Sequence, residues 1–210
     1  MKVKSAVLAS FLCLASLPAS AVASTLTLVS TSGGASDGVE VYPYNFSVNG
    51  SSTLTNLMCV DFNREITFGE TWNVAISAIP TGTSQTALDY QAAAIIFSEV
   101  QSGAASNVDA QFAAWSLFDP TDMQGKVGFD AAAQNLASSA LTLAGSQTLT
   151  ASFYSHYQLY IPTSDTTGWT DGIPQEFIGV AQTPEPSSFL LLGSGLLGVA
   201  GSLRRRLVRA

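Results

Sequence analysis

The alternation of apolar and polar residues divides the chain into a strand-rich first half, a helical middle and a short return to strands. Short alternating or β-branched runs, separated by Gly, Asn and Ser, predict strands at residues 25–31, 39–48, 53–60 and 71–79. Apolar residues three and four positions apart then predict helices at 87–101, 109–118 and 129–143. Strands are predicted again at 152–161 and 176–181. This order favours one α+β domain, most simply a β-sandwich or a barrel-like sheet with inserted helices.

The N-terminal residues have the pattern of a secretory signal peptide. Lys2 and Lys4 precede an apolar run at 6–17, which is followed by Pro18 and the small-residue sequence at 21–23. The pattern predicts a signal helix at 1–23, cleavage before residue 24 and an extracytoplasmic domain at 24–182. Cys13 would leave with the signal peptide.

A second uncharged apolar run, 188–203, lies near the C-terminus. It follows Pro184-Glu185-Pro186 and precedes Arg204, Arg205 and Arg206. As a helix this run would be about 24 Å long, and it can cross a membrane core of about 30 Å if the arginines reach the interface. Basic residues beside a span stay in the cytoplasm, so the domain would lie outside. The alternative is a helix on the membrane surface, but the run is apolar on every face.

The three parts in this order resemble the PEP-CTERM sorting signal of Gram-negative bacteria, which the membrane protease exosortase recognises. The resemblance covers residues 183–210. It implies a transient anchor in the inner membrane, with the domain first in the periplasm and later at the cell surface or outside the cell. It also implies an exosortase as a partner.

Removal of both targeting segments changes the charge of what remains. Six of the eight basic residues lie in those segments, and residues 24–183 keep only Arg64 and Lys126 against fourteen acidic residues. The domain therefore has a net charge of about −12, not the −7 of the whole chain. Without a basic patch to replace the counterions of phosphates, nucleic acid is not an expected partner.

Cys59 is the only cysteine in the predicted domain, so it has no partner for an internal disulfide. One interpretation is a buried, inert cysteine among the apolar neighbours Leu57, Met58 and Val60. The other interpretation is a reactive thiol, because cysteines of exported proteins are usually paired in disulfides in an oxidising compartment.

Two short motifs bear on this choice. Cys59 and Asp61 form a Cys-x-Asp sequence at the end of a predicted strand, and Gln111, Ala113 and Trp115 form Gln-x-Ala-x-Trp on a predicted helix. Over residues 39–118 the chain resembles the thioester domains of bacterial surface adhesins, although the residue before the glutamine is alanine where the family usually has threonine.

The resemblance implies an internal thioester between the Cys59 sulfur and the Gln111 acyl carbon, formed with loss of ammonia. Asp61, Ala113 and Trp115 would be supporting residues, and an amine on a partner surface would later attack the bond. The alternative is that Gln111 is a surface glutamine beside an ordinary apolar helix face.

Other polar groups indicate no further chemistry. Asp119, Asp122 and Gly125 are typical of a helix-terminating turn and lack the alternating ligands of a cation loop. His156 is the only histidine, and no hydrolytic triad can be assigned to it. We therefore expect no cofactor, no metal and no enzymatic activity.

The sequence as a whole indicates an exported surface or extracellular-matrix protein. One hypothesis is a covalent adhesin that acts through the thioester on an amine-bearing surface ligand. The alternatives are a passive structural protein of a biofilm or extracellular polysaccharide, and a carbohydrate-binding or ice-binding module.

Overall fold

The computed structural model describes residues 23–163, 173–182 and 192–198. The predicted signal peptide therefore lies outside the described residues apart from Ala23, as do the three residues at 184–186 and the arginines at 204–206. Of the predicted membrane helix at 188–203, only residues 192–198 are described, and these are helical. Within the described ranges, no helix is both long and apolar enough to cross a bilayer.

Six antiparallel strands close into a barrel, which confirms the barrel and not the sandwich among the predicted α+β folds. In chain order the barrel strands are β1 (Ala23–Thr31), β4 (Tyr44–Val48), β5 (Leu54–Cys59), β6 (Thr71–Ala78), β7 (Tyr157–Pro162) and β8 (Phe177–Val180). Around the barrel they follow the order β1-β4-β5-β8-β7-β6. A separate hairpin pairs β2 (Ala35–Ser36) with β3 (Val39–Glu40).

The two ends of the barrel differ in what they hold. At one end, called the mouth here, β5 stops at Cys59 and β8 starts at Phe177. At the opposite end, called the base, β1 begins at Ala23 and β8 stops at Val180. Because β1 and β8 are the first and last strands, both chain ends of the domain leave from the base.

Two turns with positive φ angles shape the first half of the sheet. Asp37 and Gly38 join β2 to β3 with φ angles of 53° and 80°, and Asn49 and Gly50 follow β4 with 53° and 72°. A pair of positive φ angles is what a type I′ turn requires, and Asn-Gly and Asp-Gly are its preferred sequences. The predicted strand at 39–48 lies between these turns and is two strands, β3 and β4, with residues 41–43 between them.

Alternate residues of the barrel strands fill its interior. Tyr44, Phe46 and Val48 are buried along β4, while the residues between them are half-buried. The Phe46 ring packs edge-on against Phe177 at 4.7 Å and against Trp72 at 5.7 Å between ring centroids. These aromatic contacts form the centre of the barrel core.

Three helices between β6 and β7 cover the outside of the barrel. They are α1 (Gln85–Ser102), α2 (Asn107–Phe118) and α3 (Ala131–Gly145), each within two residues of the predicted bounds. Each begins at a residue whose side chain accepts a backbone N–H bond of the first turn: Ser84, Ser106 and Asp130. On the outside of the barrel α2 contacts β5 and α1 contacts β8, while α3 packs on α1 and α2.

The predicted strand at 152–161 is wrong in its first half. Ala151–Tyr154 form a short helix, α4, and β7 starts only at Tyr157. The Phe153 ring of α4 packs on Tyr157, the first residue of β7, with 5.4 Å between ring centroids. His156 lies in the turn between α4 and β7, where its Nδ1 is 3.2 Å from the Phe153 carbonyl oxygen.

Asp37 joins the β2–β3 hairpin to the segment between α2 and α3. Its two carboxylate oxygens accept hydrogen bonds from the backbone N–H groups of Gly128, at 2.8 Å, and Val127, at 3.0 Å. These bonds, the one from Gly128 first, lower the pKa of Asp37 because they favour the charged carboxylate.

We expect Asp37→Asn to be less stable than the wild type near neutral pH, with a difference that shrinks as the pH falls. Asparagine tolerates the positive φ and keeps one acceptor, but its amide cannot accept from both N–H groups. Since the folded pKa of Asp37 is lowered, its contribution is present above the unfolded value of about 3.9 and is lost below it. Urea unfolding of both proteins from pH 3 to 7 measures this, and a difference independent of pH would contradict it.

Candidate functional site

Cys59 lies at the mouth of the barrel. It is the last residue of β5 and pairs with Phe177, the first residue of β8. Directly opposed residues share one face of a sheet, so the Cys59 side chain points to the interior with Phe177. Its thiol is fully buried and donates a hydrogen bond of 3.1 Å to the Asp61 carbonyl oxygen.

Gln111 lies directly against Cys59. Its side-chain Nε2 donates a hydrogen bond of 2.7 Å to the Cys59 carbonyl oxygen, across 52 positions of sequence. The interpretation of Gln111 as a surface residue is wrong, because its exposure is 0%. The reason is that every α2 residue from 110 to 115 is buried, so this part of the helix has no solvent-facing side.

The other polar atom of the Gln111 amide has no partner. Within the described part of the chain, no donor makes a hydrogen bond to Gln111 Oε1, although the atom is buried. A buried polar atom without a hydrogen bond costs about 1 to 3 kcal/mol, and such atoms are rare in folded proteins. This oxygen is bonded to Gln111 Cδ, the carbon that would be bonded to sulfur in a thioester.

Ala113 and Trp115 follow Gln111 on α2. Ala113 is fully buried, but two positions from Gln111 it lies on a different face of the helix. Trp115 follows Gln111 by one helical turn on the same face and is 1% exposed. Its ring packs against Phe62 at 5.1 Å and Phe112 at 5.2 Å between centroids.

The environment of the Cys59 thiol keeps it protonated. Burial raises the pKa of Cys59 to about 12, and the nearby Trp115 indole and the hydrogen bond at Asp61 offset this only in part. The Trp115 indole N–H is close to the sulfur. Among the described residues, however, it forms no hydrogen bond of acceptable geometry. A thiol with so high a pKa is not a thiolate at neutral pH, so it lacks the reactivity of a redox cysteine.

Asp61 approaches Cys59 through its backbone. Its carboxylate forms an ion pair with Arg64, with 2.9 Å between Oδ2 and Nε. Partial burial raises the pKa of Asp61, and Arg64 opposes this shift. The structure thus places Asp61, Gln111 and Trp115 next to Cys59, while no contact joins Ala113 to it among the described residues.

A half-buried acid near the pair, Glu176, was not predicted from the sequence. The Tyr90 hydroxyl on α1 lies 2.9 Å from both carboxylate oxygens of Glu176, and the Val60 N–H donates to the Glu176 carbonyl. Burial raises the pKa of Glu176, and the Tyr90 bond lowers it only in part. No spacing in the sequence indicates this contact, because 86 positions separate the two side chains.

The predicted turn after α2 is confirmed. The Asp119 carboxylate accepts hydrogen bonds from the Phe62 N–H at 3.0 Å and from Asn63 Nδ2 at 2.6 Å, and Asn63 also donates to Asp122 at 3.0 Å. These acids thus fix the loop after β5. In the ranges that the structure covers, no group of three His, Cys, Asp or Glu side chains is placed to hold a metal ion.

A cavity of about 510 Å³ opens above the mouth of the barrel. Tyr44 and Trp115 line it, together with the β2–β3 hairpin and the loop that follows β5. Tyr44 also lies near the thiol. Burial is the main cause that raises the pKa of Tyr44, and a charge on Cys59 would raise it further. The cavity therefore lies directly outside the Cys59 and Gln111 pair.

Comparison with known proteins identifies the tail of the chain. No curated protein and no solved structure matches this chain. Residues 182–206 match the PEP-CTERM protein-sorting motif. This motif directs sorting at the membrane by an exosortase. The chain therefore carries a PEP-CTERM sorting motif and is an exported protein that an exosortase processes.

Proposed function

We propose that Cys59 and Gln111 form an internal thioester and that the exported domain is a covalent adhesin. The observation that supports this most is the Gln111 amide, which is fully buried against Cys59 with its oxygen unpartnered. An amide that serves only the fold would be expected to satisfy both of its polar atoms.

The bond would form by attack of the Cys59 sulfur on Gln111 Cδ. The C–N bond of the amide breaks, the thiol proton leaves on the nitrogen, and one ammonia is released. Because burial keeps Cys59 protonated and the thiolate is the better nucleophile, the sulfur would have to pass this proton to the amide nitrogen as it attacks. Packing of Trp115 and Phe62 over the site keeps out water that would hydrolyse the product.

The thioester would then acylate an amine on a partner surface. The amine attacks the same carbon, the C–S bond breaks, the proton passes to sulfur, and an amide links the partner to Gln111. Lys126 is the one lysine among residues 24–183, and its Nζ lies over the Phe62 ring, 5.2 Å from the centroid. The domain thus holds its own amine on an aromatic ring and not at Gln111.

This reaction would occur once per molecule, because the partner stays attached. We therefore propose that the protein is not an enzyme. The sorting tail would deliver the domain to the cell surface or the extracellular medium, which is where an adhesin meets its partner.

We expect the intact mass of the chain, purified in a non-ionic detergent, to be about 17 Da below its sequence mass, because one ammonia is lost in the reaction. Methylamine should raise this mass by about 31 Da through addition to Gln111. Mass spectrometry with and without methylamine measures both changes.

Cys59→Ala and Gln111→Ala are the controls for this measurement, and both should show their plain sequence mass under either condition. A wild-type mass equal to the sequence mass, unaffected by methylamine, would exclude the thioester.

The second candidate is a passive structural protein of an extracellular matrix. It is supported by the complete burial of Cys59, which suits an inert apolar side chain as well. In that case the mass would be the plain sequence mass, and the thiol would react only when the protein unfolds.

A further inference from the structure

The cavity above the mouth of the barrel has a defined floor and rim. Tyr44 and Trp115 form part of the floor, and both side chains are at least nine-tenths buried. Glu40 from β3 and Glu65 from the loop after β5 line the same cavity and are solvent-exposed. The cavity therefore leads from a charged rim to an aromatic floor.

The floor of this cavity lies next to the proposed reactive carbon. Trp115 lies one helical turn from Gln111 on α2, and Gln111 is bonded to the Cys59 carbonyl. The Trp115 indole lowers the pKa of Cys59, and a charge on Cys59 would raise the pKa of Tyr44. Both side chains therefore lie near the thiol. A ligand in the cavity would thus lie against the two side chains that cover the pair.

The charge of the cavity is negative. Three charged side chains line it, Glu40, Arg64 and Glu65. Arg64 is already neutralised by its ion pair with Asp61. Glu40 is held in place by a hydrogen bond of 2.6 Å from the Thr31 hydroxyl. Two carboxylates that form no ion pair among the described residues therefore remain at the rim, where they would attract a cation.

We propose that this cavity is the binding site for the partner's amine and that Glu40 and Glu65 select an aliphatic amine that carries a second positive charge nearby. This inference rests on the proposed thioester for its covalent step, although binding in the cavity does not require that step. The chain between the two nitrogens lies along Tyr44 and Trp115, and the second ammonium group lies at the rim.

Two amines of equal length test the selection. We expect 1,5-diaminopentane to add to the full chain, in non-ionic detergent at low salt, faster than pentylamine. The ratio of the two rates should fall about fivefold in the Glu40→Gln, Glu65→Gln double variant, as expected when a nearby negative field is removed. The comparison between proteins cancels the different intrinsic reactivity of the two amines.

A matched control removes the same charge elsewhere. The Glu99→Gln, Asp109→Asn double variant changes acids on α1 and α2 that do not line the cavity, and it should keep the wild-type ratio. A ratio that is unchanged in the Glu40 and Glu65 variant, or that falls equally in the control, would overturn the proposal.

Binding without reaction separates this inference from the thioester itself. In full-length Cys59→Ala no thioester can form, so any effect of the amines reports the cavity alone. We expect 1,5-diaminopentane to shift the NMR signal of the Trp115 indole N–H, identified by its loss in Trp115→Phe, and pentylamine to shift it less. Equal shifts from both amines would overturn the selection, while a wild type that never adds methylamine would overturn only the thioester.

Discussion

We expect the Gln111→Glu variant to lose about 3 to 5 kcal/mol of unfolding free energy at pH 7, the usual effect of a buried charge without a partner. The carboxylate would replace the Gln111 N–H donor, which lies 2.7 Å from the Cys59 carbonyl oxygen. The carboxylate oxygen and the carbonyl oxygen would then repel each other. The site has 0% exposure, so water cannot compensate.

This loss should depend on pH in one direction. Burial raises the folded pKa of the new carboxyl above its unfolded value of about 4.3, because the charged form is disfavoured. Below that value both states are protonated, and the carboxyl O–H can again donate to the Cys59 carbonyl. The variant should therefore lose stability as the pH rises above about 4.3, by about 1.4 kcal/mol per pH unit, until the folded pKa is reached.

Chemical denaturation between pH 4 and 8 measures this dependence, with Gln111→Glu and its reference both in the Cys59→Ala background, where the Gln111 amide stays intact. Gln124→Glu is the matched control, because Gln124 is exposed in the turn after α2 and should show neither the loss nor the pH dependence. A Gln111→Glu variant as stable as this reference at pH 7 would mean that Gln111 is not buried against Cys59.

Trp115→Ala is expected to have an effect of similar size, about 3 to 5 kcal/mol, because it empties a large buried volume. Trp115 is 1% exposed and contacts both Phe62 and Phe112. It also separates the cavity from the Cys59 thiol. We therefore expect the variant to lose the protection of this thiol even while it stays folded.

Alkylation of the methylamine-treated protein measures this protection, since the sulfur is then a thiol whether or not a thioester had formed. Phe97→Ala is the control: Phe97 is fully buried on α1 and packs on Tyr42 and Tyr157. It should lose similar stability without exposing Cys59. Equal alkylation rates for the two variants, well below both melting temperatures, would show that Trp115 does not cover the thiol.

The strands and helices that follow local rules were predictable from the sequence. Alternation in β4 places Tyr44, Phe46 and Val48 on one face, and this face fills the barrel. The helix bounds follow from capping residues such as Ser106 and Asp130. The helix α4 was missed because four residues are too few to show a helical period, and Phe153 and Tyr154 favour strands elsewhere.

The site was predictable only in part. Cys59 and Gln111 were paired by resemblance to a family, and their contact depends on how α2 packs on β5, which spacing does not reveal. The cavity and the contact between Tyr90 and Glu176 depend on the pairing of β5 with β8 and on the path of the loop after β5. These features arise from tertiary packing, for which a single sequence carries no local signal.

The position of the two chain ends determines how the protein stands on a membrane before its tail is cut. Three residues lie between Val180 at the base and Pro184 of the sorting motif, so this link spans no more than about 15 Å. The base would thus be the end of the domain nearest the proposed membrane anchor. Cys59 lies at the opposite end of the barrel, at the end of β5, a strand of six residues that is about 20 Å long. The proposed adhesive end would therefore be presented to a neighbouring cell or matrix while the protein is still held at its own membrane.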